Sequence, residues 1–593
     1  MFDLLRNLRY SFRQLNKNRA FAVTAVLSLA FGIGGTVAVF SLTDAVLLRP
    51  LQFKNEARLV EVFENRPRQG LINDTPAPAN YYDWKTRNHV FSDVAAASGA
   101  LFAITGNGRP EQLEGTQITA NLLSVLGVEP LLGRNFRPDE DRPGAKRVAL
   151  ISAGLWRRRF GSDPQVIGKN IRLNGVPHTI VGVMPFGFTF HETSQVWIPL
   201  ALSPAKLLDR DNHFLLVYGL LRPAVTLEQA RSEMLALSKQ LEKQYPASNT
   251  GLFTSIVPLR ESLVGKVRSA ILVLAVGVTA ILLITCANIA GLMIARSTGR
   301  ERELAVKTAL GASRSRLLGE HLLESAVLSF LGAGLGFVFA VASVPLLEKL
   351  VPLSLASWAH PEMNGHVLTF ALATCCLVAI AFALASNRFV AAHPSTLAQG
   401  RRSVSGEKRL VRSGLVAGQI ALATVVLVAT GLLGQTFWNL AHTDRGFSPE
   451  HVLTMRTELP VSDNTPYRSF DARASFYTRV VERVERIPGV ISAGYTTFLP
   501  LTNGGGSSTI LIEGALPLPV GEVNDVLMRV VTPDYFRSLG VRLVSGRVFS
   551  AADNRSESPV AVINETMARK YWAPKIPLAG VFVSMIRIPL WLP

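Results

Sequence analysis

The sequence predicts an α-helical membrane protein with five transmembrane helices and two α/β (α+β) domains outside the membrane. Three observations lead to this prediction: five long apolar stretches without a charged residue, basic residues concentrated in the segments between them, and an internal repeat. Each apolar stretch can cross a hydrocarbon layer of about 30 Å at about 1.5 Å per helical residue. The stretches are Phe21–Thr43, Ser269–Ala295, Ser325–Leu347, Val367–Asn387 and Ser413–Phe437.

The basic residues predict the orientation of the spans. Segments 1–19, 296–318 and 387–413 together carry 17 basic and four acidic residues, in a chain whose net charge is +18. Cytoplasmic loops carry an excess of Lys and Arg, and these three segments share one side of the membrane if the N-terminus is cytoplasmic. The charge therefore indicates topology and contact with anionic membrane lipid, and no nucleic-acid partner is expected. We expect a multi-pass protein of the plasma (inner) membrane.

The spans divide the chain into consecutive segments. Residues 1–20 indicate an amphipathic helix in the inner headgroup layer, or alternatively a plain extension of the first span. In chain order the predicted segments are a cytoplasmic amphipathic helix (1–20), TM1 (21–43), a first outer domain (44–268), TM2 (269–295), a cytoplasmic segment (296–322), TM3 (323–349), a short outer loop (350–366), TM4 (367–387), a cytoplasmic loop (388–412), TM5 (413–437), a second outer domain (438–572) and a tail (573–593).

Both outer domains have the pattern of soluble α/β structure. Short β-branched runs such as Thr179–Met184 and Val560–Ile563 predict strands. Stretches of mixed polarity such as Thr226–Gln244 and Ser469–Arg486 predict helices. No disulfide is expected to hold these domains, because all three cysteines fall inside spans. They are Cys286, Cys375 and Cys376.

The second outer domain repeats part of the first. Residues 121–160 align with residues 534–572, with an offset of 413 that becomes 412 after one deletion. This spacing predicts two copies of one domain, each preceded by an anchoring span, with a block of three spans between them. Duplicated halves are common in transporters. The matching positions include Leu126-Gly127-Val128 with Leu539-Gly540-Val541, and Gly133-Arg134 with Gly546-Arg547.

The segment from Arg300 to Arg314, which follows the second span, resembles the cytoplasmic coupling segment of the MacB/FtsX superfamily of ABC transporter permeases. Residues Leu47–Leu51 resemble the superfamily's passage into its periplasmic core domain. The tandem arrangement resembles the duplicated permeases of acidobacteria. This resemblance implies outer domains of the MacB periplasmic-core type and an FtsX-like permease block at 269–387. It also implies a cytoplasmic ABC ATPase in trans, and a periplasmic adaptor or a second permease copy in a homodimer as further partners.

The proposed coupling segment also has a physical interpretation. In a short helix, Glu303, Lys307 and Arg314 fall on one face. Such a helix can dock into a groove on a soluble partner, although an ordinary basic loop kept for topology has the same composition. The resemblance favours docking on the ATPase. The residues expected to couple to the ATPase are Glu301, Glu303, Lys307, Leu310, Gly311 and Arg314.

No part of the sequence indicates catalysis. The chain contains no G-x-x-x-x-G-K-[ST] phosphate loop, and no histidine spacing supports a metal site or a cofactor. The spans contain small residues such as Gly34 and Gly336, which are typical of close helix packing rather than of a path for a charged solute. We therefore expect a non-catalytic permease subunit that works by mechanotransmission from a separate ATPase. The alternatives are an FtsX-like regulator of envelope hydrolases, and a membrane-anchored sensor or scaffold.

The repeat predicts that Trp572 is followed by a counterpart of Gly161–Gly168, but the sequence continues as Ala573-Pro574-Lys575 and ends in an apolar tail. Permeases with the tandem arrangement continue through the rest of the second outer domain and three further spans. We therefore expect a truncation or a frame shift near Ala573.

Overall fold

The structure of the protein is a computed structural model that separates into two compact units. The helical unit comprises Met1–Leu51 and Arg260–His442, and the α/β unit comprises Gln52–Leu259 and Thr443–Pro593. The residues that the structure describes are 13, 16–51, 53–69, 71–106, 109–188, 190, 194–299, 314–350, 361–391, 404–457, 459, 466–467, 469–502, 507–512, 524–553, 560–572 and 582–584.

Helices and strands are numbered in chain order. The helices are α1 (Arg19–Thr43), α2 (Pro78–Arg87), α3 (Leu122–Leu126), α4 (Ala153–Phe160), α5 (Leu227–Gln244), α6 (Pro246–Asn249), α7 (Leu259–Gly299), α8 (Arg314–Leu350), α9 (Gly365–Ala391), α10 (Val404–His442), α11 (Phe470–Glu485), α12 (Tyr535–Ser538) and α13 (Glu565–Trp572). The strands are β1 (Leu59–Arg66), β2 (Leu71–Asp74), β3 (Phe91–Thr105), β4 (Glu111–Ile118), β5 (Leu132–Gly133), β6 (Val148–Ile151), β7 (Asn170–Leu173), β8 (Val176–Val183), β9 (Val196–Pro199), β10 (Leu216–Leu221), β11 (Phe253–Pro258), β12 (Ser507–Ile512), β13 (Asn524–Leu527) and β14 (Phe582–Ser584).

Five helices of the helical unit are long and apolar enough to cross a membrane, which confirms the five predicted apolar helices. A π turn, Asp44–Leu48, continues α1 beyond the end of its apolar stretch. Helix α7 has 41 residues, which correspond to about 60 Å of continuous helix. The apolar sections are Arg19–Leu48, Val267–Met293, Leu322–Leu346, Gly365–Phe382 and Val416–His442.

Glycines bring the backbones of α1 and α8 together. A methyl group on Gly34 would lie 2.6 Å from the carbonyl oxygen of Gly336, and one on Gly332 would lie 2.5 Å from Cβ of Leu29. Buried apolar side chains of α1, α7, α8 and α9 form one core around this contact. Helices in lipid associate largely through such close packing, since lipid chains are as apolar as the side chains. The contact agrees with the packing role that the sequence predicts for these glycines.

Residues 52–259 of the α/β unit form one mixed sheet of 11 strands. Its order is β11-β1-β10-β3-β4-β9-β6-β8-β5, with β2 paired to β1, and β7 paired to both β3 and β8. The pairs β4–β9 and β6–β8 are parallel. Helix α5 packs its buried residues into a core with α2 and strands β1, β3, β10 and β11. Helix α4 covers a second core that includes residues of β3, β4, β6 and β8.

Most of the local predictions for the α/β unit are confirmed. The predicted helices Thr226–Gln244 and Ser469–Arg486 correspond to α5 and α11, and in both cases the first predicted residue is the N-cap. The side chains of Thr226 and Gln229 form a capping box, which satisfies two of the backbone N–H groups that a helix start leaves unpaired. The predicted strand Thr179–Met184 overlaps β8.

The predicted strand Val560–Ile563 is wrong. These four residues are described but do not form a strand. Their counterpart in the repeat is β6, which is paired with β8 and β9. Among the residues that the structure describes, no strand pairs with Val560–Ile563, so these four residues do not have the backbone hydrogen bonds that define a strand.

Just before each of the two aligned segments, a threonine makes the same pair of hydrogen bonds with the backbone of a more distant residue. The N–H group of Thr119 donates to the carbonyl oxygen of Ala96 at 2.9 Å, and Oγ1 of Thr119 accepts from the N–H group of Ala96 at 3.0 Å. Thr532 and Tyr495 make the same two hydrogen bonds, at 3.0 and 2.8 Å. The sequence repeat therefore extends to hydrogen bonds between chain segments that are far apart in sequence.

An arginine–carboxylate pair is also repeated. Arg134 donates to both carboxylate oxygens of Glu140 at 2.8 and 2.6 Å, and Arg547 does the same to Asp553 at 2.7 and 2.8 Å. In each segment a backbone N–H group three residues before the acid donates to the same carboxylate. The hydrogen bonds from Arg134 hold the pKa of Glu140 below its usual value, although burial opposes this shift. The hydrogen bonds from Arg547 lower the pKa of Asp553 in the same way.

The glycine contact predicts the effect of Gly34→Ala on the helical unit. The added methyl group meets a backbone oxygen, so α1 and α8 must move apart, and we expect a loss of about 1–3 kcal/mol of stability. Thermal unfolding of the full chain in mild detergent measures this loss. Gly334→Ala is the control, because no atom lies within 4 Å of the added methyl group. Equal melting temperatures for the two variants would contradict the packing role of Gly34.

The lowered pKa of Glu140 predicts a pH dependence of stability. Because its folded-state pKa lies below the ordinary value of 4.5, the Glu140 contribution is complete at neutral pH. This contribution is lost as the pH falls through about 4.5 towards the folded-state pKa. The melting temperature of the wild type should therefore fall more steeply with acidification than that of Glu140→Gln. Asp139→Asn, a change at the exposed neighbouring carboxylate, should keep the wild-type slope.

Candidate functional site

The predicted coupling residues are mostly outside the described part of the structure. This holds for Glu301, Glu303, Lys307, Leu310 and Gly311, whereas Arg314 is the first residue of α8 and only its backbone is described. Their coupling role stays a prediction. The described residues instead reveal a different polar site, where α1 ends and α7 and α9 begin. We call it the polar junction, and it consists of Asp44, Arg49, Arg260, Asn364 and His366.

The π turn that ends α1 positions the first two residues of the junction. Pro50 disfavours helical dihedral angles at the preceding residue, and Arg49 is accordingly extended, with φ −65° and ψ 131°. The N–H group of Arg49 closes the turn by donating to the carbonyl oxygen of Asp44 at 2.7 Å. The helix therefore ends at Leu48 and carries Asp44 in its last turn, where the carboxylate is 2% exposed.

Three side chains surround the buried carboxylate of Asp44. Asn364 Nδ2 donates to Oδ2 at 2.7 Å, His366 Nδ1 lies 3.3 Å from Oδ1, and Arg49 Nη2 lies 3.6 Å from Oδ2. A buried charge is costly unless it is paired and hydrogen-bonded. The Asp44 carboxylate meets both conditions, so it links the end of α1 to the start of α9.

Asn364 has two functions in this arrangement. Its Oδ1 atom accepts from the N–H group of Val367 at 3.0 Å, which is the hydrogen bond of an N-cap residue at the start of α9. Its amide nitrogen binds Asp44. One short side chain therefore fixes where α9 begins and holds that start against α1.

Arg260 joins the start of α7 to the end of α1. Its two terminal nitrogens donate to the carbonyl oxygens of Leu47 and Arg49, at 2.7 and 2.8 Å. Helix α7 follows β11 without a linking residue. In the sheet, β11 is the antiparallel neighbour of β1, with Val60 opposite Pro258. The two chain connections between the sheet and the apolar helices therefore leave from adjacent strands and are tied together by one guanidinium group.

The junction has the features of a structural link rather than of a catalytic centre. Its one buried acid is already paired, and it contains no nucleophile with an adjacent base. Among the described residues, no group of three or more His, Cys, Asp or Glu side chains is placed to hold a metal ion. The three cysteines are free thiols within α7 and α9. What the arrangement can do is keep the ends of three apolar helices at fixed distances from one another.

Sequence reasoning missed the polar junction. The predicted first span ends at Thr43, one residue before Asp44, the buried acid of the polar junction. Two signals were available: a proline that stops the helix at Leu48, and Asn364, a good N-cap residue directly before an apolar stretch. No local sequence pattern indicates that Asp44 and Asn364, which are 320 positions apart, form a hydrogen bond in the folded chain.

These observations define the class of the protein: a multi-pass membrane protein whose apolar helices connect directly to a folded α/β body. The family model of the MacB-like periplasmic core domain matches residues 22–237 and 413–581, which together are more than half of the chain. The model of the FtsX-like permease C-terminal domain matches residues 275–394. The chain belongs to the MacB/FtsX-type superfamily of ABC transporter permeases.

Curated relatives are similar over parts of their length. The macrolide export ATP-binding/permease protein MacB of Chlorobium luteolum is 23% identical over 402 residues, which cover 63% of this chain and 58% of that protein. MacB of Burkholderia thailandensis is 24% identical over 225 residues, covering 37% of this chain and 33% of that protein. The uncharacterized ABC transporter permease YknZ of Bacillus subtilis is 21% identical over 370 residues, covering 60% of this chain and 90% of YknZ. The chain therefore spans 58% and 33% of the length of these two MacB proteins.

Two solved structures of such relatives are also similar to parts of the chain. The extracellular domain of YknZ matches 34% of this chain and 99% of that domain, with 15% identity and a TM-score of 0.26. The periplasmic region of MacB from Actinobacillus actinomycetemcomitans matches 36% of this chain and 93% of that region, with 11% identity and a TM-score of 0.27.

The Arg260 contacts predict that Arg260→Lys destabilises the helical unit. A lysine reaches at most one of the two carbonyl oxygens well, so we expect a loss of about 1.5–3 kcal/mol, the range for a hydrogen bond to a charged group. Thermal unfolding of the full chain measures the loss. Arg268→Lys, at an exposed position two turns further along α7, is the matched control and should unfold like the wild type. If the two variants unfold together, the polar junction is not held by Arg260.

Proposed function

We propose that this protein is the non-catalytic transmembrane subunit of an ABC-type transport or efflux system, and that a separate cytoplasmic ATPase drives it by mechanotransmission. The five apolar helices cross the inner membrane with the N-terminus in the cytoplasm. The α/β unit lies outside the cytoplasm and contains two domains of the MacB periplasmic-core type. Membership of the permease superfamily and the absence of a phosphate-loop motif from the sequence support this proposal.

The observation that carries the proposal is the direct connection of α7 to the sheet. Helix α7 starts at the residue after β11 and continues to Gly299. An uninterrupted helix passes an axial or tilting movement from one end to the other, because its backbone hydrogen bonds resist bending. A movement imposed near Gly299 therefore reaches β11, and through its strand pairing reaches β1.

The polar junction extends the proposed transmission of movement from α7 to α1 and α9. Arg260 ties α7 to the end of α1, and Asp44 ties α1 to the start of α9. The two helices that connect to the sheet then move as a pair, so that strands β1 and β11 are displaced together rather than pulled apart. The ATPase does its work on the α/β unit, and substrate need not pass through the helices.

The coupling segment is the proposed input. Its position directly after α7 and directly before α8 makes any partner bound there act on two apolar helices at once. Glu301, Glu303, Lys307, Leu310, Gly311 and Arg314 are the residues proposed to bind the ATPase. The relatives named MacB are described as ATP-binding/permease proteins, which supports an ATPase as the partner of this permease.

Isolation of the full chain from its own cells in mild detergent should retain an ABC ATPase and ATP hydrolysis. Glu303→Ala together with Lys307→Ala removes two charged contacts, and we expect about tenfold less retained ATPase, the equivalent of about 1.4 kcal/mol. Arg402→Ala, in the other predicted cytoplasmic loop, is the control and should retain the wild-type amount. Wild-type protein that retains no ATPase, or a double variant that retains it fully, contradicts the proposed coupling.

A further inference from the structure

The chain between β9 and β10 passes the start of α2, where the N–H group of Ala79 donates to the carbonyl oxygen of Asp209 at 3.0 Å. We call residues 200–215 the connecting segment. All of its residues are described, none of them belongs to a strand, and it contains one short helical turn, Lys206–Leu208. Because no strand ladder holds the connecting segment, its position depends on individual hydrogen bonds and ion pairs.

Arg210 is one anchor of the connecting segment. Its two terminal nitrogens donate to Asn80 Oδ1 at 2.5 Å and to Asp83 Oδ2 at 2.6 Å, both on α2. The guanidinium group also lies over the ring of Tyr245, with its carbon 3.5 Å from the ring centroid. A guanidinium group keeps its charge at every physiological pH, so Arg210 holds the segment without responding to pH near neutrality.

His213 is a second anchor, and it meets a buried acid. Its Nδ1 atom lies 2.7 Å from Oε2 of Glu64 on β1, and the Glu64 side chain is only 2% exposed. The other oxygen of Glu64 accepts from Asn80 Nδ2 at 2.7 Å and from the N–H group of Ala77 at 3.2 Å. One carboxylate therefore holds both the start of α2 and the connecting segment against β1.

The contact between Glu64 and His213 depends on charge. The two atoms are close, but they are not aligned for a hydrogen bond, so the contact is an ion pair that requires a protonated ring. A buried carboxylate that loses its cationic partner is strongly destabilising. Histidine is the side chain that ordinarily changes its charge between pH 5 and 8. The strength of this anchor therefore varies in the physiological range.

The groups around His213 favour opposite protonation states of the ring. Arg66 Nη2 on β1 lies 3.2 Å from Nε2, and a neutral ring can accept a hydrogen bond from this permanent cation. The carboxylates of Glu64 and of Asp74, at the end of β2, favour the protonated ring, whereas α2 contributes the neutral amide of Asn80. Burial opposes protonation, but the contact with Glu64 and the negative charges outweigh it and raise the pKa of His213.

We propose that Glu64 and His213 form a pH-sensitive latch for the connecting segment. The latch is closed while the ring is protonated. When the ring loses its proton, it keeps the contact with Arg66 but no longer neutralises Glu64, and the residues around His213 separate from β1. Arg210 continues to hold the preceding part of the segment.

Opening of the latch also reaches the link between β2 and α2. Thr75 Oγ1 donates to the carbonyl oxygen of His213 at 2.9 Å, and the N–H group of Leu215 donates to the carbonyl oxygen of Pro76 at 3.1 Å. The direction of the switch follows from the raised pKa of His213. The latch is complete below about pH 6.5, the ordinary value, and is lost as the pH rises through the folded-state pKa.

Hydrogen–deuterium exchange of the full chain in mild detergent, followed by mass spectrometry between pH 5.5 and pH 9, tests this proposal. Protection factors remove the intrinsic pH dependence of exchange. We expect the protection of residues 209–215 to fall about tenfold as the pH rises, as loss of one contact between charged groups would produce. The protection of β3 should stay constant. Protection of 209–215 that does not change with pH overturns the proposal, and this result needs no variant.

His213→Gln tests which group titrates. A glutamine cannot supply a cation to Glu64, so residues 209–215 should be weakly protected at every pH, with β3 protected as in the wild type. His89→Gln is the matched control, because His89 is 84% exposed and lies 3.6 Å from Glu233. It should keep the wild-type pH profile. A wild-type pH profile in His213→Gln contradicts the latch. The measurement follows the segment itself, so it does not depend on the proposed function.

Discussion

The structure depends most on how the carboxylate of Asp44 is accommodated at the end of a helix whose apolar stretch, residues 21–43, carries no charge. Asp44 is only 2% exposed, so its carboxylate has little access to water. The Asp44 carboxylate is therefore paired with Asn364 and His366 at the start of α9 and with Arg49, the residue before Pro50. The end of α1 and the start of α9 consequently meet at one point, and Arg260 joins the start of α7 to them through the carbonyl oxygens of Leu47 and Arg49.

This arrangement gives the helical unit two kinds of contact with different requirements. Along their length, α1 and α8 pack through glycines, where shape alone matters and any added atom must be accommodated by movement of the backbone. At the polar junction, direction and charge matter, because hydrogen bonds are effective only in a narrow range of distances and angles. Close packing permits small sliding movements, whereas the junction fixes the relative position of the helix ends. The proposed passage of movement from the helices to the α/β unit needs both properties.

The sequence predicted those parts of the structure that follow from local periodicity and composition. Apolar length identified the five helices, and mixed polarity identified two helices of the α/β unit whose first predicted residues, Thr226 and Ser469, are the N-caps. The same reasoning failed for Val560–Ile563, because a strand exists only with neighbours and its sequence cannot report whether they are present. It also missed Asp44 as a site residue, since the pairing with Asn364 and His366 depends on tertiary contacts that no local pattern encodes. The repeated arginine–carboxylate pairs lie between these cases: the alignment located Arg134 and Arg547, but only the structure identified their partners.

The central claim is that the apolar helices join a cytoplasmic docking segment to an α/β body on the opposite side of the membrane. The most direct test is labelling of single cysteines in intact cells with a membrane-impermeant thiol reagent, in a background where the three native cysteines are replaced by serine. Ser232→Cys, exposed on α5, should be labelled from outside, whereas Thr308→Cys, in the coupling segment, should react only after the membrane is opened. Labelling of Thr308→Cys in intact cells with protection of Ser232→Cys would invert the topology and remove the basis for the permease mechanism.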